Sequence, residues 1–147
     1  MLTPTLICAA VLFFAACVKR IPEGQAYTLR RMDGHLRTLG AGMHFVLPLI
    51  ERVAHKIRLL GNVVEIEPIA VPGQNATLRG QVFYQVLDAR RADTIIDEVA
   101  PRVREQLPRL LAELASPHDS DRNLQLKSGL NRQLRDRGLL ITRVQLG

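Results

Sequence analysis

Arg37-Thr38-Leu39-Gly40-Ala41-Gly42-Met43-His44-Phe45-Val46-Leu47-Pro48 is the stretch that decides how this chain folds. Two glycines spaced by one residue permit a turn that most side chains would obstruct, because glycine reaches positive φ without penalty. Met43 to Leu47 is then a nearly continuous apolar run of strand length. Pro48 has no amide donor and closes it. Upstream, Gln25 to Arg37 alternates polar and apolar residues about Asp33-Gly34, a hairpin turn pair. The pattern predicts a small β meander with strands over 25–31, 35–38 and 43–47, and little that resembles a reaction centre.

Toward the N-terminus the meander meets a greasy segment. Leu6 to Val18 is uncharged and rich in Leu, Ile, Val, Phe and Ala. Extended back to Leu2 it reaches the lower end of what crosses a hydrocarbon core of roughly 30 Å as a helix. Pro4 is tolerable near a helix start but shortens the useful span. Residues 1–20 therefore read as a membrane anchor or signal segment, and 21–147 as one further domain. As an anchor, the segment places Leu6, Ile7, Val11, Leu12, Phe13, Phe14 and Val18 against lipid. Two other readings stay open. A cleaved secretory signal, which would leave a soluble secreted regulator that binds a partner enzyme, normally begins with basic residues, which Met1 to Thr5 does not supply. A lipoprotein signal ending at Phe14-Ala15-Ala16-Cys17 shares that gap but offers Cys17 for lipidation. Cys8 and Cys17 are the only cysteines, so neither a disulfide framework of the body nor a zinc spacing is available.

Charge is placed unevenly. The formal net charge is +6, and residues 19–61 carry eight basic side chains against Glu23, Asp33 and Glu51. Lys19, Arg20, Arg30 and Arg31 follow the apolar segment and suit an anionic membrane surface. Basic residues on that flank and none before the segment favour a cytoplasmic body by the positive-inside rule. A periplasmic body is the alternative that lipidation at Cys17 requires. Nucleic acid is not an expected partner: aromatic residues are few, the four Phe and Tyr of the body look strand-bound, and no helix clusters arginine for a groove.

Farther along, Arg52 to Leu59 and Asn62 to Ile69 predict a pair of strands about Gly61-Asn62. Pro72-Gly73-Gln74-Asn75 is a strong turn. It introduces Thr77 to Leu87, in which Leu78, Gly80, Val82, Tyr84 and Val86 share one face and Thr77, Arg79, Gln81 and Gln85 the other. The period then changes to three and four at Ile96, Val99, Val103, Leu107, Leu110 and Leu114, one apolar helix face. Pro101 and Pro108 predict two pieces or a kink. Ser116 to Asp121 reads as a loop ending in N-cap candidates. Leu126, Leu130 and Leu134 mark a second helix that Gly138 terminates. Leu140, Thr142, Val144 and Leu146 alternate through a last strand. Strands, helices, strand make an α+β fold: a twisted, mostly antiparallel sheet with helices on one face, behind an N-terminal hydrophobic helix.

Four segments of this body resemble the SPFH (band 7, prohibitin-homology) domain, its stomatin-like and paraslipin-like branch in particular. They are Ile21-Pro22-Glu23-Gly24-Gln25; Gly40 to Pro48 with Leu49-Ile50-Glu51-Arg52-Val53; Gln81 to Asp88; and Arg137-Gly138-Leu139 leading into Ile141-Thr142-Arg143-Val144. They follow in the family's order after an anchor where such proteins carry theirs. The resemblance implies a non-enzymatic scaffold whose partners are membrane lipids and membrane proteins, a membrane protease or channel among them, assembled as homo- or hetero-oligomers. Two departures stand out. A Thr-x-Asp-type turn is replaced by Pro72-Gly73-Gln74-Asn75-Ala76. The chain ends at Gly147, directly after the last strand, so the long coiled coil that helps such proteins build cages is expected to be missing.

No residues combine into catalytic or cofactor chemistry. His35, His44, His55 and His118 lack a metal-binding helix spacing, and His44 alternates into an apolar strand as a satisfied sheet residue. Gly40-x-Gly42 lacks the third glycine and the helix of a dinucleotide loop. Ser116, Ser120 and Ser128 have no nucleophile-elbow context. Glu65 and Glu67 fall on one strand face, where two exposed carboxylates are commoner than an acid–base pair. Catalytic, cofactor and metal sites are all expected to be absent.

Overall fold

The computed structural model describes residues 2–71, 75–114 and 119–147. Most of the turn expected at Pro72 to Asn75 lies outside these residues, as do His118 and much of the loop expected at Ser116 to Asp121. The chain divides into two compact units, Met1–Ile57 and Arg58–Gly147.

In the first unit, helix α1 spans Leu2–Cys17 and passes directly into strand β1, Val18–Ile21. β2 (Gln25–Arg31), β3 (Leu36–Leu39), β4 (Gly42–Phe45) and β5 (Glu51–Arg58) follow. The Asp33-Gly34 turn is present: β2 and β3 pair antiparallel from Tyr27↔Leu39 to Arg30↔Leu36. The meander is not. β4 leaves β3 and pairs with β1, Val18 opposite Phe45 and Ile21 opposite Gly42, while β5 takes the free side of β2. Lys19 and Arg20, which follow the apolar segment as charge, lie inside a strand because Val18 to Ile21 pairs with the apolar run. Gly42 alone of the two neighbouring glycines uses positive φ, at 131°, which turns the chain into β4. Ile21, Tyr27, Leu29, Leu39 and Val46 form the core, with Val53 packed against them.

The second unit is a three-stranded sheet in the order β6-β7-β8, with β6 Asn62–Ala70, β7 Thr77–Val86 and β8 Leu139–Leu146. Both pairings are antiparallel. The expected single sheet is therefore three sheets, of two, three and three strands, in an α+β fold. Between β7 and β8 run a short helix α2 (Ala89–Ala92), a 3-10 turn (Ile96–Glu98), α3 (Val99–Glu113) and α4 (Asp119–Leu134). Asp88 caps α2 by accepting from the Arg90 and Arg91 amides. α3 runs through both prolines. Pro101 stands in the first turn, where an amide has no helical partner in any case, and Pro108 gives up one bond inside. Its buried stripe is Val99, Val103, Leu107 and Leu111. Leu110 instead packs on α4, where a Cβ on Gly129 would come within 3.0 Å of its Cδ2. Leu126, Leu130 and Leu134 are buried as expected.

β8 departs from even alternation. Phe83 pairs with Arg143 but Tyr84 with Ile141, so Thr142 is an extra residue, a bulge. Leu139 and Ile141 before it and Val144 and Leu146 after it are all buried, a change of phase that strict alternation misses. The edge of β8 is closed by α4: Asn131 Nδ2 donates to Ile141 O at 3.0 Å, and Ile141 N donates to Asn131 Oδ1 at 2.7 Å. One amide side chain thus takes the place of a further strand, which protects the edge.

Candidate membrane-facing site

α1 is apolar around its whole circumference and has no charged residue. Leu6, Ile7, Val11, Leu12, Phe13 and Phe14 are exposed, from 47% at Phe13 to 71% at Leu12, and Val18 is exposed at the start of β1. A helix of this kind leaves large apolar surface without cover in its own chain. Its 16 residues measure about 24 Å, short of a hydrocarbon core of about 30 Å. Among the described residues no helix is long and apolar enough to cross a membrane. The span cannot lengthen toward the body, because Val18 already pairs with Phe45.

Cys17 has no exposed surface, whereas Cys8 is exposed on α1. The Cys17 carbonyl accepts from Val46 N–H at 2.8 Å, and the Phe14 and Phe45 rings lie 5.9 Å apart, so the end of α1 is seated on the segment that follows β4. Lys19 and Arg20 are exposed on β1 opposite His44 and Met43, and as successive strand residues they point to opposite faces. Arg30 and Arg31 end β2. They share a cavity of about 380 Å³ with Arg52, Met32, Leu49 and Ile50. The four basic residues singled out above thus fall into two pairs on different sheets. Arg52, Met32 and Leu49 were missed. Apolar residues standing inside turns, in Arg31-Met32-Asp33-Gly34 and Pro48-Leu49-Ile50, were the signal.

The other candidates are structural. His44 Nε2 lies 2.9 Å from Gly40 O, a strand-entry bond. Glu65 and Glu67 are exposed on β6, and the Glu65 carbonyl accepts from Arg104 Nε. Among the described residues no group of three His, Cys, Asp or Glu is placed to hold a metal ion. Among the described residues Tyr84, half-buried beside the bulge, is the one group whose acidity burial clearly moves, upward from its ordinary value.

The SPFH domain / Band 7 family model matches residues 19–146. The chain belongs to the SPFH / Band 7 family, and the match runs from Lys19 in β1 to Leu146 at the end of β8, leaving α1 outside it.

Proposed function

We propose that this chain is a non-enzymatic scaffold which α1 holds in a membrane and whose body works by association with lipid and with membrane proteins. The observation that carries the reading is the uncovered apolar surface of α1. Fully burying a large apolar side chain gains about 1.5–3 kcal/mol, so six of them supply on the order of 10 kcal/mol. Lys19, Arg20, Arg30 and Arg31 add about 1 kcal/mol each beside anionic lipid. The helix dominates and the charges tune. A helix shorter than the hydrocarbon layer is accommodated by local thinning or by self-association, at a cost of fractions of a kcal/mol per Å. The basic flank orients the body to the cytoplasm.

A membrane protease or channel is the kind of partner we infer, with the stomatin-like and paraslipin-like branch as the nearest setting. This rests on the four resembling segments. Tethering through Cys17 would instead begin the mature chain at a residue that here is buried and whose carbonyl accepts from Val46 N–H. Intact-mass spectrometry of the mature protein separates the two: retention of residues 2–16 supports the α1 anchor, and a chain beginning at acylated Cys17 refutes it. Co-purification from gently solubilised membranes tests the scaffold. Recovery with membrane-protein partners or as an oligomer is expected, and a solitary single copy contradicts it.

A further inference from the structure

Met32 and Leu49 are the two most exposed large apolar side chains among the described residues, at 82% and 76%. Neither hangs on a loose loop. Arg31 N donates to His35 O, Gly34 N to Arg31 O, and His35 N to Asp33 Oδ1, which closes the turn that carries Met32. Ile50 N and Glu51 N both donate to Leu47 O, closing the turn that carries Leu49. Met32 N then donates to Ile50 O at 3.0 Å and ties the two turns together.

The cavity between them is lined by Arg30, Arg31 and Arg52. Only Arg31 has a carboxylate partner among the described residues, Asp33 at a loose 3.7 Å with both side chains half exposed. Three arginines lining one cavity with one weak counter-charge favour an anion. The planar, fork-shaped donors of arginine match phosphate oxygens best. An anion alone does not explain two apolar side chains held out at the mouth. A bilayer surface supplies both phosphate and hydrocarbon within a few ångströms. The site is also continuous with α1, since Val46, bonded to Cys17, leads directly into the turn over 47–50.

We propose that the Arg30–Arg31–Arg52 cavity seats the phosphate of an anionic phospholipid headgroup, with Met32 and Leu49 immersed among the acyl chains beside it. This rests on the membrane reading above and adds a second, headgroup-selective contact to the one made by α1.

The chain has no tryptophan, so a single substitution introduces a unique fluorophore. M32W and, separately, F13W in the full chain are reconstituted in vesicles of bromine-labelled phosphatidylcholine, with and without phosphatidylglycerol. The indole of F13W is quenched in both. The indole of M32W is quenched in the phosphatidylglycerol vesicles, and raising the salt weakens that quenching. In R30Q/R31Q/R52Q its partition into the bilayer falls about a hundredfold, from about 1 kcal/mol per basic residue at the surface. An M32W indole that stays in water while F13W is quenched overturns this inference and leaves the α1 anchor standing. An unquenched F13W overturns both. M32W quenching that ignores salt or survives the triple substitution removes the phosphate seat. Inorganic phosphate that shifts M32W emission in detergent, without quenching in vesicles, makes the cavity a free-anion site and refutes the lipid assignment.

Discussion

Gly80 is the point at which one added methyl group should undo a sheet. It sits mid-β7, between Ile66 of β6 and Leu146 of β8. A Cβ there would overlap the Gln145 carbonyl oxygen and lie 2.9 Å from Gln145 C and 3.0 Å from Leu146 Cα. All three obstacles are backbone, which cannot swing aside as a side chain does. In G80A the chain has two ways out. It can keep the strain, about 1–3 kcal/mol for an overpacked site. Or it can peel back the end of β8, giving up the paired bonds Arg79 N→Gly147 O and Gly147 N→Arg79 O and exposing Leu146, now 4% exposed. Two backbone bonds at about 0.5–1.5 kcal/mol each and a leucine at about 1.5–3 total about 2.5–6 kcal/mol. The cheaper route governs, so the loss is about 1–3 kcal/mol. Urea denaturation followed by circular dichroism gives the total, and hydrogen exchange at the Arg79 and Gly147 amides locates it. G40A is the control: Gly40 has nothing within 4 Å of its Cβ position and an ordinary φ, so it should stay within about 0.5 kcal/mol. A G80A protein as stable as G40A, with unchanged protection at the end of β8, would show that the close approach of β7 and β8 is misjudged.

Three further outcomes follow from named contacts. N131A strips the edge of β8 of two hydrogen bonds and leaves the Ile141 amide and carbonyl unpaired. A loss of about 1–3 kcal/mol in the stability measured by urea denaturation, with faster exchange at Ile141, is expected. Burial raises Tyr84 above its ordinary value near 10.0, so the fold favours the neutral phenol. That contribution is complete below pH 10 and is lost as pH climbs through the raised value; Y84F should flatten the alkaline part of the stability–pH curve, and an unchanged curve would contradict it. Maleimide should label Cys17 only on unfolding, as a C8S variant in detergent would report by mass.

What the sequence shows and what it hides have physical reasons. β2 begins and ends where alternation placed it, and β6 and β7 start where turn residues placed them, because a half-buried strand writes its period into its own residues. The leucine stripe of α4 is legible for the same reason. Partner choice is not. Met43 to Leu47 reads as a third meander strand because nothing local says that β4 will reach back to β1, and Val18 to Ile21 is masked by its charges. The bulge at Thr142 is invisible to any fixed period, yet it decides which half of β8 faces inward. The candidate site was half legible. Uninterrupted apolar composition exposed α1, and charge counting found Arg30 and Arg31. Arg52 joins them because β5 takes the free side of β2, a pairing with no signature in spacing.

The central claim is that α1 keeps the protein in a membrane. Leu6 and Leu12 are 70% and 71% exposed, so L6R/L12R leaves the packing of the first unit intact while placing two charges where lipid is proposed. Each charge at such a depth costs about 2.5–3.5 kcal/mol on the insertion scale. In flotation of salt-washed membranes the unaltered full chain should rise with the lipid fraction, and L6R/L12R should remain at the bottom of the gradient, folded by circular dichroism. Equal flotation of the two would contradict the claim.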